Sequence, residues 1–136
     1  EGYCPVHEHM QLDELKKIKE AHPNAEILTH PECPLNIRNM SDYIGSTSGI
    51  IDYAGKSDKE EFIICTENGV CYELEKNNPG KKFYFTETEP VCHDMKLITL
   101  KKILHVLESG ENEVKISQTL GSEAVKPLHN MLELAK

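Results

Sequence analysis

The sequence predicts an α/β protein, a three-layer sandwich with a short, mainly parallel sheet that is followed by C-terminal helices. Three observations support this fold class. In the first 90 residues, apolar strand-like segments alternate with helical segments at a spacing of about 20 residues, as βαβ units require. Short polar segments follow the apolar strands. After residue 90 the pattern is helical, without a strand of its own.

The elements up to residue 90 follow from apolar periodicity and from proline and glycine signals. Segment 11–21 repeats leucine and isoleucine at nearly helical spacing, and a His-Pro pair ends it. The predicted elements are, in order, a helix over 11–21, a strand over 25–30, a short helix begun by Pro34, a strand through Ile44, a helix after 45–49, a strand over 61–65, a helix over 70–78 and a strand over 81–87.

Three polar turns follow the carboxyl ends of predicted strands. They are HPEC at 30–33, GSTSG at 45–49 and TENG at 66–69. Ligands of open α/β sheets bind at the carboxyl edge of the strands. We therefore expect the three turns to face one crevice, although they lie far apart in sequence.

Beyond residue 90 two helices are expected. The first begins near Thr99 and ends at Gly110, a natural C-cap, and its apolar positions follow the i, i+3, i+4, i+7 pattern. These positions are Leu100, Ile103, Leu104 and Leu107. The second helix is expected around Pro127 to Leu134. Because neither helix follows a strand, we expect both to pack against something outside the first 90 residues.

The composition excludes several classes of protein. The formal net charge is −8 and Arg38 is the only arginine, so a broad surface for phosphate backbones, and with it a nucleic-acid partner, is not expected. No apolar run reaches the roughly 18 residues of a membrane span, and no secretory signal pattern is present. We expect a cytoplasmic protein with no membrane partner. Since the chain begins with Glu1 rather than Met, we also expect a fragment.

The five cysteines, at positions 4, 33, 65, 71 and 92, do not suggest a disulfide framework, because their number is odd and a secretory signal is lacking. Cys65 lies in an apolar strand and Cys71 on a helix, so both are expected to pack. Cys4 and Cys92 lie in loops, where ligands are better placed. Two thiolates alone cannot hold an iron–sulfur cluster, which normally needs three or four.

The segments CPVHEH and HPEC bring thiols, imidazoles and a carboxylate close together in sequence. Their C-x₂-H and H-x₂-C spacings are only loosely similar to those of zinc sites. One hypothesis is therefore a zinc site with ligands drawn from Cys4, His7, His30 and Cys33. The other is that these are ordinary residues of turns and strand ends, and Cys33 fits either hypothesis.

An ordered series of motifs along the whole chain resembles the carboxyl-terminal part of the quinolinate synthase family, the A protein of the bacterial and archaeal NAD pathway. The motifs are G-x-C-x-x-H at 2–7, HPEC at 30–33, GSTSGI at 45–50, TENG at 66–69 and C-x-x-MKLITL at 92–100. Their order and spacing, rather than any single motif, make the resemblance specific.

The resemblance implies an enzyme of three similar α/β domains around a pseudo-threefold axis, each contributing one cysteine to a central [4Fe-4S] cluster. One iron has no protein ligand and acts as a Lewis acid. The enzyme condenses iminoaspartate with dihydroxyacetone phosphate to quinolinate, releasing phosphate and water. By motif, Cys4 matches the second cluster cysteine and Cys92 the third.

The resemblance also implies substrate-binding residues. His30, Pro31 and Glu32 match the family's substrate-binding triplet, and Thr47, with Ser46 beside it, matches a further substrate contact. A histidine and a glutamate are suitable acid and base groups for the proton transfers of dehydration and ring closure, so His30 and Glu32 are the expected catalytic residues. Hydroxyls and free N–H groups at the start of a helix suit anionic substrates.

The chain lacks the first cluster cysteine and most of two domains of the family. Residues 1–90 are then expected to form the third α/β domain, and residues 91–136 the cluster-cysteine loop and the helices that return to the absent first domain. The chain by itself is expected to be inactive, with the remainder of the enzyme as its partner. A zinc-dependent α/β hydrolase and a non-catalytic α/β interaction module remain as alternatives.

Two residues have open roles. His7 could orient a group bound at the iron or simply stiffen the loop after Cys4. Glu67 has the same two interpretations, and we favour a structural role as the cap of the helix that follows.

Overall fold

The computed structural model describes residues 2–88 and 90–136. The chain forms two compact units, Glu1–Lys96 and Leu97–Lys136. The first unit contains all four strands, and the second contains two helices. The assignment of residues 1–90 to the third domain of a larger enzyme stays a prediction.

The strands of the first unit form one parallel sheet, as predicted. They are β1 (Glu26–Thr29), β2 (Tyr43–Ile44), β3 (Glu61–Cys65) and β4 (Lys82–Tyr84). Their order across the sheet is β2-β1-β3-β4, and every neighbouring pair is parallel. The two central strands are buried along almost their whole length, which is typical of a parallel sheet covered on both faces.

The helices follow the strands in the order that the sequence predicts. Their bounds are α1 (Pro5–Glu8), α2 (Leu12–Ala21), α3 (Leu35–Arg38), α4 (Thr47–Lys56), a 3-10 turn (Asn68–Val70), α5 (Cys71–Asn77), α6 (His93–Lys96), α7 (Leu100–Ser109) and α8 (Gln118–Leu134). The four-residue helices α1 and α6 were not predicted, because so short a segment shows no apolar repeat.

Two apolar clusters hold the sheet between layers of helices. On one face, Ile27 and Ile63 pack with Leu15 of α2 and with a buried residue of α3. On the other face, Phe62 of β3 packs with residues of α4 and α5, among them Leu74. Adjacent strand residues thus point to opposite faces, and the predicted three-layer arrangement is confirmed.

The second unit consists of α7 and α8. As predicted, α7 begins after Thr99, whose hydroxyl accepts the N–H of Lys102 at 3.3 Å, and ends at Gly110 in the left-handed conformation. The last helix, predicted around Pro127 to Leu134, is present and is longer than predicted. The helix begins at Gln118, because the Ser117 hydroxyl caps it, and the proline lies inside it. No helix in the described part of the chain is long and apolar enough to cross a bilayer.

Candidate functional site

The candidate site lies where the central strands β1 and β3 end. Thr29 is in register with Cys65, so His30 and Thr66 leave the sheet side by side. The pairing continues for one residue, because the His30 N–H donates to the Cys65 carbonyl at 3.1 Å. The turns after these strands are therefore neighbours at the carboxyl edge, where ligands of parallel sheets bind.

The HPE segment forms a tight turn on this edge. The Cys33 N–H donates to the His30 carbonyl at 3.0 Å, and the Glu32 N–H approaches His30 Nδ1 at 3.3 Å. Pro31 fixes one backbone torsion and is exposed. Because Nδ1 accepts that N–H, a neutral His30 ring carries its proton on Nε2.

Helix α1 brings a second histidine to the same edge. Cys4 precedes the helix and Pro5 occupies its first turn, so His7 enters a buried position. Its Nδ1 lies 3.1 Å from Glu32 Oε2, and its Nε2 lies 3.0 Å from the Thr66 hydroxyl. In the tautomer whose Nδ1–H donates to the Glu32 carboxylate, a neutral His7 ring accepts the Thr66 hydroxyl at Nε2.

The two histidine rings are stacked. Their centroids are 4.0 Å apart and their planes differ by 7°. Burial lowers the pKa of His30, the nearby His7 lowers it further, and Glu32 opposes both effects. A lowered pKa keeps His30 neutral near pH 7, and a neutral imidazole can both donate and accept a proton.

Three possible metal ligands converge at the start of α1. One ligand atom each from Cys4, His7 and Glu32 lie within 4.8 Å of one another. The set differs from the one expected for zinc, since Glu32 takes the place of His30 and Cys33. The Cys33 thiol instead contacts Met10 Sδ at 3.6 Å and the Cys65 carbonyl at 3.4 Å.

The remaining cysteines divide according to their surroundings. Burial raises the pKa of both Cys33 and Cys65 to about 12, so neither supplies a thiolate readily. Burial, together with Glu75, also raises the pKa of Cys71. Cys4 and Cys92 are half-buried and stand outside the apolar clusters, and thiols of this kind are the donors that iron–sulfur clusters use. Among the cysteines of the described residues, only Cys4 belongs to a group of converging ligand atoms, with His7 and Glu32.

Cys92 lies in the loop before α6, next to α1. Residues of both segments, Val6 and Cys92 among them, line a cavity of about 270 Å³. The Cys92 N–H donates to Glu67 Oε1 at 3.2 Å, and the Asn68 N–H donates to the Pro90 carbonyl at 2.9 Å. The turn after β3 thus holds the Cys92 loop.

Glu67 caps the 3-10 turn, as predicted, by accepting the Gly69 N–H at 2.7 Å. Burial disfavours its charge, but the ammonium of Lys96 and the N–H groups of Gly69 and Cys92 outweigh this effect and keep the pKa of Glu67 below its ordinary value. Its second contact, to the Cys92 loop, was not expected from the sequence.

Ser46 and Thr47 lie at the start of α4, after the edge strand β2. The Ser46 hydroxyl accepts the Gly49 N–H at 3.2 Å and caps the helix, whose first residue is Thr47. The Gly45 N–H donates to the Thr29 carbonyl at 3.0 Å, so this turn also leaves the sheet at the carboxyl edge. Within the described residues, no hydrogen bond joins Ser46 or Thr47 to the histidine pair.

Thr66 is a site residue that was not predicted from the sequence. It belongs to the TENG turn, but its contact with His7 joins residues 59 positions apart. The available signal was a polar residue directly after the buried strand β3. His7 was singled out with two open roles, and the structure gives it polar partners on both ring nitrogens.

The family model and the similar proteins that match this chain all belong to one family. The family model described as "Quinolinate synthetase A protein" matches residues 1–133. The chain is 44% identical over its whole length to a quinolinate synthase of Clostridioides difficile, and 46% identical over 134 residues to that of Fusobacterium nucleatum. It is 40% identical over 134 residues to quinolinate synthase 2 of Methanosarcina acetivorans.

The matched region is only part of each relative. The chain spans 45% of the C. difficile protein, 44% of the F. nucleatum protein and 43% of the M. acetivorans protein. A match over nearly all of this chain nevertheless identifies its family. The chain belongs to the quinolinate synthetase A family.

Proposed function

We propose that the protein containing this chain is a quinolinate synthase, which condenses iminoaspartate with dihydroxyacetone phosphate to quinolinate and releases phosphate and water. The observation that supports this proposal best is the convergence of His7, His30 and Glu32 beside Cys4 at the carboxyl edge of the sheet. Imidazoles and a carboxylate next to a thiol suit repeated proton transfer beside a metal.

Cys4 and Cys92 supply two thiolates to a [4Fe-4S] cluster in this proposal. The other cysteines of the chain have raised pKa values, so a third thiolate comes from another part of the enzyme. When bound, the cluster supplies a Lewis-acidic iron that polarises an oxygen of the substrate. The 136 residues alone are then inactive, because they lack one ligand.

His30 and Glu32 transfer protons during dehydration and ring closure. His30 is anchored through its backbone, has a lowered pKa and offers Nε2–H to the substrate. Glu32 is 52% exposed at its side chain and can reach a substrate from the turn. His7 donates to Glu32 and fixes one of its oxygens, while Pro31 shapes the turn.

Thr47 and Ser46 bind an anionic group of the substrate. Thr47 opens the ten-residue helix α4. Free N–H groups and the positive end of a helix dipole favour carboxylates and phosphates at such a position. The Ser46 hydroxyl accepts the Gly49 N–H and lies 3.2 Å from the Ser48 hydroxyl, so its proton can turn to the substrate when Ser48 is the donor of that pair.

The helices of Leu97–Lys136 pack, in this proposal, on the first domain of the complete enzyme. Both helices expose many apolar side chains. Such side chains are normally buried against another part of a protein. Examples are Leu100, 86% exposed, and Leu107, 78% exposed. Residues 1–90 form the third α/β domain, and residues 91–136 form the loop of Cys92 and the return to the first domain.

Cysteine variants of the full-length protein test the cluster ligands. After anaerobic purification, Cys4→Ser and Cys92→Ser should lose the broad brown absorption and most of the bound iron. Cys71→Ser is the matched control, because Cys71 is also half-buried but is not a proposed ligand. Normal iron in the Cys92→Ser variant would contradict the assignment.

The same preparation separates the alternatives. The convergent Cys4, His7 and Glu32 atoms favour a zinc-dependent hydrolase as the second candidate. That candidate predicts a colourless protein with one zinc, which Cys4→Ser releases. A non-catalytic module predicts that Cys4→Ser changes neither metal content nor function. Glu32→Gln should retain the cluster and lower the rate of quinolinate formation by about 10²- to 10⁴-fold.

A further inference from the structure

The carboxylate of Glu67 joins two segments that are remote in sequence. Its Oε2 accepts the N–H of Gly69 at 2.7 Å, within the turn that follows β3. Its Oε1 accepts the N–H of Cys92 at 3.2 Å, 25 residues further along the chain. The carboxylate thus links the end of a buried strand to the backbone of a cysteine in an irregular loop.

The same oxygen also contacts the far end of α6. Lys96 Nζ lies 3.0 Å from Glu67 Oε1. The Lys96 N–H donates to the Cys92 carbonyl at 3.1 Å, so both residues belong to one helical turn. Glu67 therefore holds this turn at its beginning and at its end.

Capping of the 3-10 turn does not account for these contacts. A cap requires only the bond from the Gly69 N–H to Oε2. The other oxygen, Oε1, contacts the Cys92 N–H and the Lys96 ammonium, which are not part of the 3-10 turn. The side chain of Glu67 is only 12% exposed, and its bond to the Cys92 N–H is partly buried, so Oε1 depends on donors from the protein more than on water. A Cβ at position 69 would lie 2.6 Å from Oε2 and would displace the carboxylate.

We propose that Glu67 is a positioning residue that fixes the backbone of Cys92 so that its thiol is held ready for metal binding. This inference rests on the proposed function, in which Cys92 is a cluster ligand. Glu67 acts through the Cys92 N–H and through α6, and it is not itself a proposed ligand. The strand β3, buried on both faces, is the rigid support from which it acts.

Glu67→Gln in the full-length protein is the main test. A glutamine replaces one of the two carboxylate oxygens by an NH₂ donor, so it cannot keep both acceptor positions that Gly69 and Cys92 use, and it loses the charge that pairs with Lys96. Glu61→Gln is the matched control, since Glu61 pairs with Lys82 at the opposite end of the same strand. Both variants are measured in cluster-free and in cluster-loaded form.

Hydrogen exchange and thiol alkylation report how well the Cys92 loop is held in place, and neither measurement requires enzyme activity. In the cluster-free protein, Glu67→Gln should raise exchange in residues 90–96 about tenfold, the effect of losing one charge-assisted hydrogen bond. The rate at which iodoacetamide modifies Cys92 should change by a similar factor, and that of Cys4 should not. In the loaded protein, iron should be lost to a chelator faster than in Glu61→Gln.

Three results would overturn the inference. These are unchanged exchange in 90–96, a rise confined to 68–77 as expected of a cap alone, or equal effects in both variants. If Glu67→Gln folds poorly, Lys96→Met decides, because it leaves the Gly69 bond intact and should raise exchange only in 90–96. If the full-length protein without substitutions never binds a cluster, the proposed function is refuted. The exchange rates of residues 90–96 in the cluster-free variants would still show whether Glu67 holds the Cys92 loop.

Discussion

Replacing Thr66 with valine tests whether the end of β3 sets the state of the His7 ring. Thr66 is completely buried, and its hydroxyl lies 3.0 Å from His7 Nε2. Valine has nearly the same shape but no hydroxyl. The change therefore removes the donor to Nε2 and leaves the contact between Nδ1 and Glu32 in place.

The expected magnitude follows from burial. His7 is 6% exposed, so Nε2 would lose its partner without gaining free access to water. A buried polar group left unpaired costs about 1–3 kcal/mol of the free energy of unfolding. The ring is then held on one side only. If Glu32 depends on His7 for its orientation, kcat/KM for quinolinate formation should fall by about five- to a hundredfold.

Thr29→Val is the matched control for this prediction. Thr29 is also completely buried, at the end of β1, and its hydroxyl accepts from Ser41 at 2.6 Å. Its loss should cost about 1 kcal/mol, because the Ser41 hydroxyl also reaches the Ile37 carbonyl. Urea unfolding measures stability, and steady-state rates of the full-length protein measure kcat/KM. Equal losses of kcat/KM in the two variants would refute the reasoning.

Two further predictions concern the cysteines and the start of α4. Iodoacetamide at pH 8 should modify Cys92 of the cluster-free protein and spare Cys33 and Cys65. Burial raises the pKa of Cys33 and Cys65 to about 12, so only about one of these thiols in ten thousand is ionised. Peptide mass spectrometry measures the three rates, and equal rates would contradict the prediction. Ser46→Ala should lower the free energy of unfolding by about 1 kcal/mol, because helix α4 loses its N-cap. Urea unfolding measures this change, and an unchanged stability would argue against the cap.

The sheet could be predicted because its strands are apolar runs bounded by turn residues. In β3, four consecutive residues after Glu61 are buried, which is the pattern of a parallel strand covered on both faces. The short helices α1 and α6 could not be predicted, since four residues contain about one helical turn and no repeat. The apolar stretch around Pro127 to Leu134 predicted the last helix, but not that Ser117 caps it and that it begins at Gln118, nine residues before the proline.

The candidate site could be predicted only within single turns. HPEC and TENG could be recognised as polar turns after strands, and the loop positions of Cys4 and Cys92 followed from the sequence. The bond from Thr66 to His7 depends on α1 packing over the end of β3, and periodicity does not predict how a short helix packs. The contact of Glu67 with Cys92 likewise joins segments 25 residues apart, so it is not visible in the sequence.

The strand order also explains why the turns are not equivalent. Because β1 and β3 are central, their turns meet directly, and the last backbone bond between them fixes His30. Glu32, two residues later, has left the sheet and is 52% exposed. In the proposed reaction the imidazoles are therefore held by the fold, and Glu32 offers the substrate the carboxylate oxygen that His7 does not hold. Acid and base groups held in this way on both sides of the turn suit a site that must carry out several proton transfers.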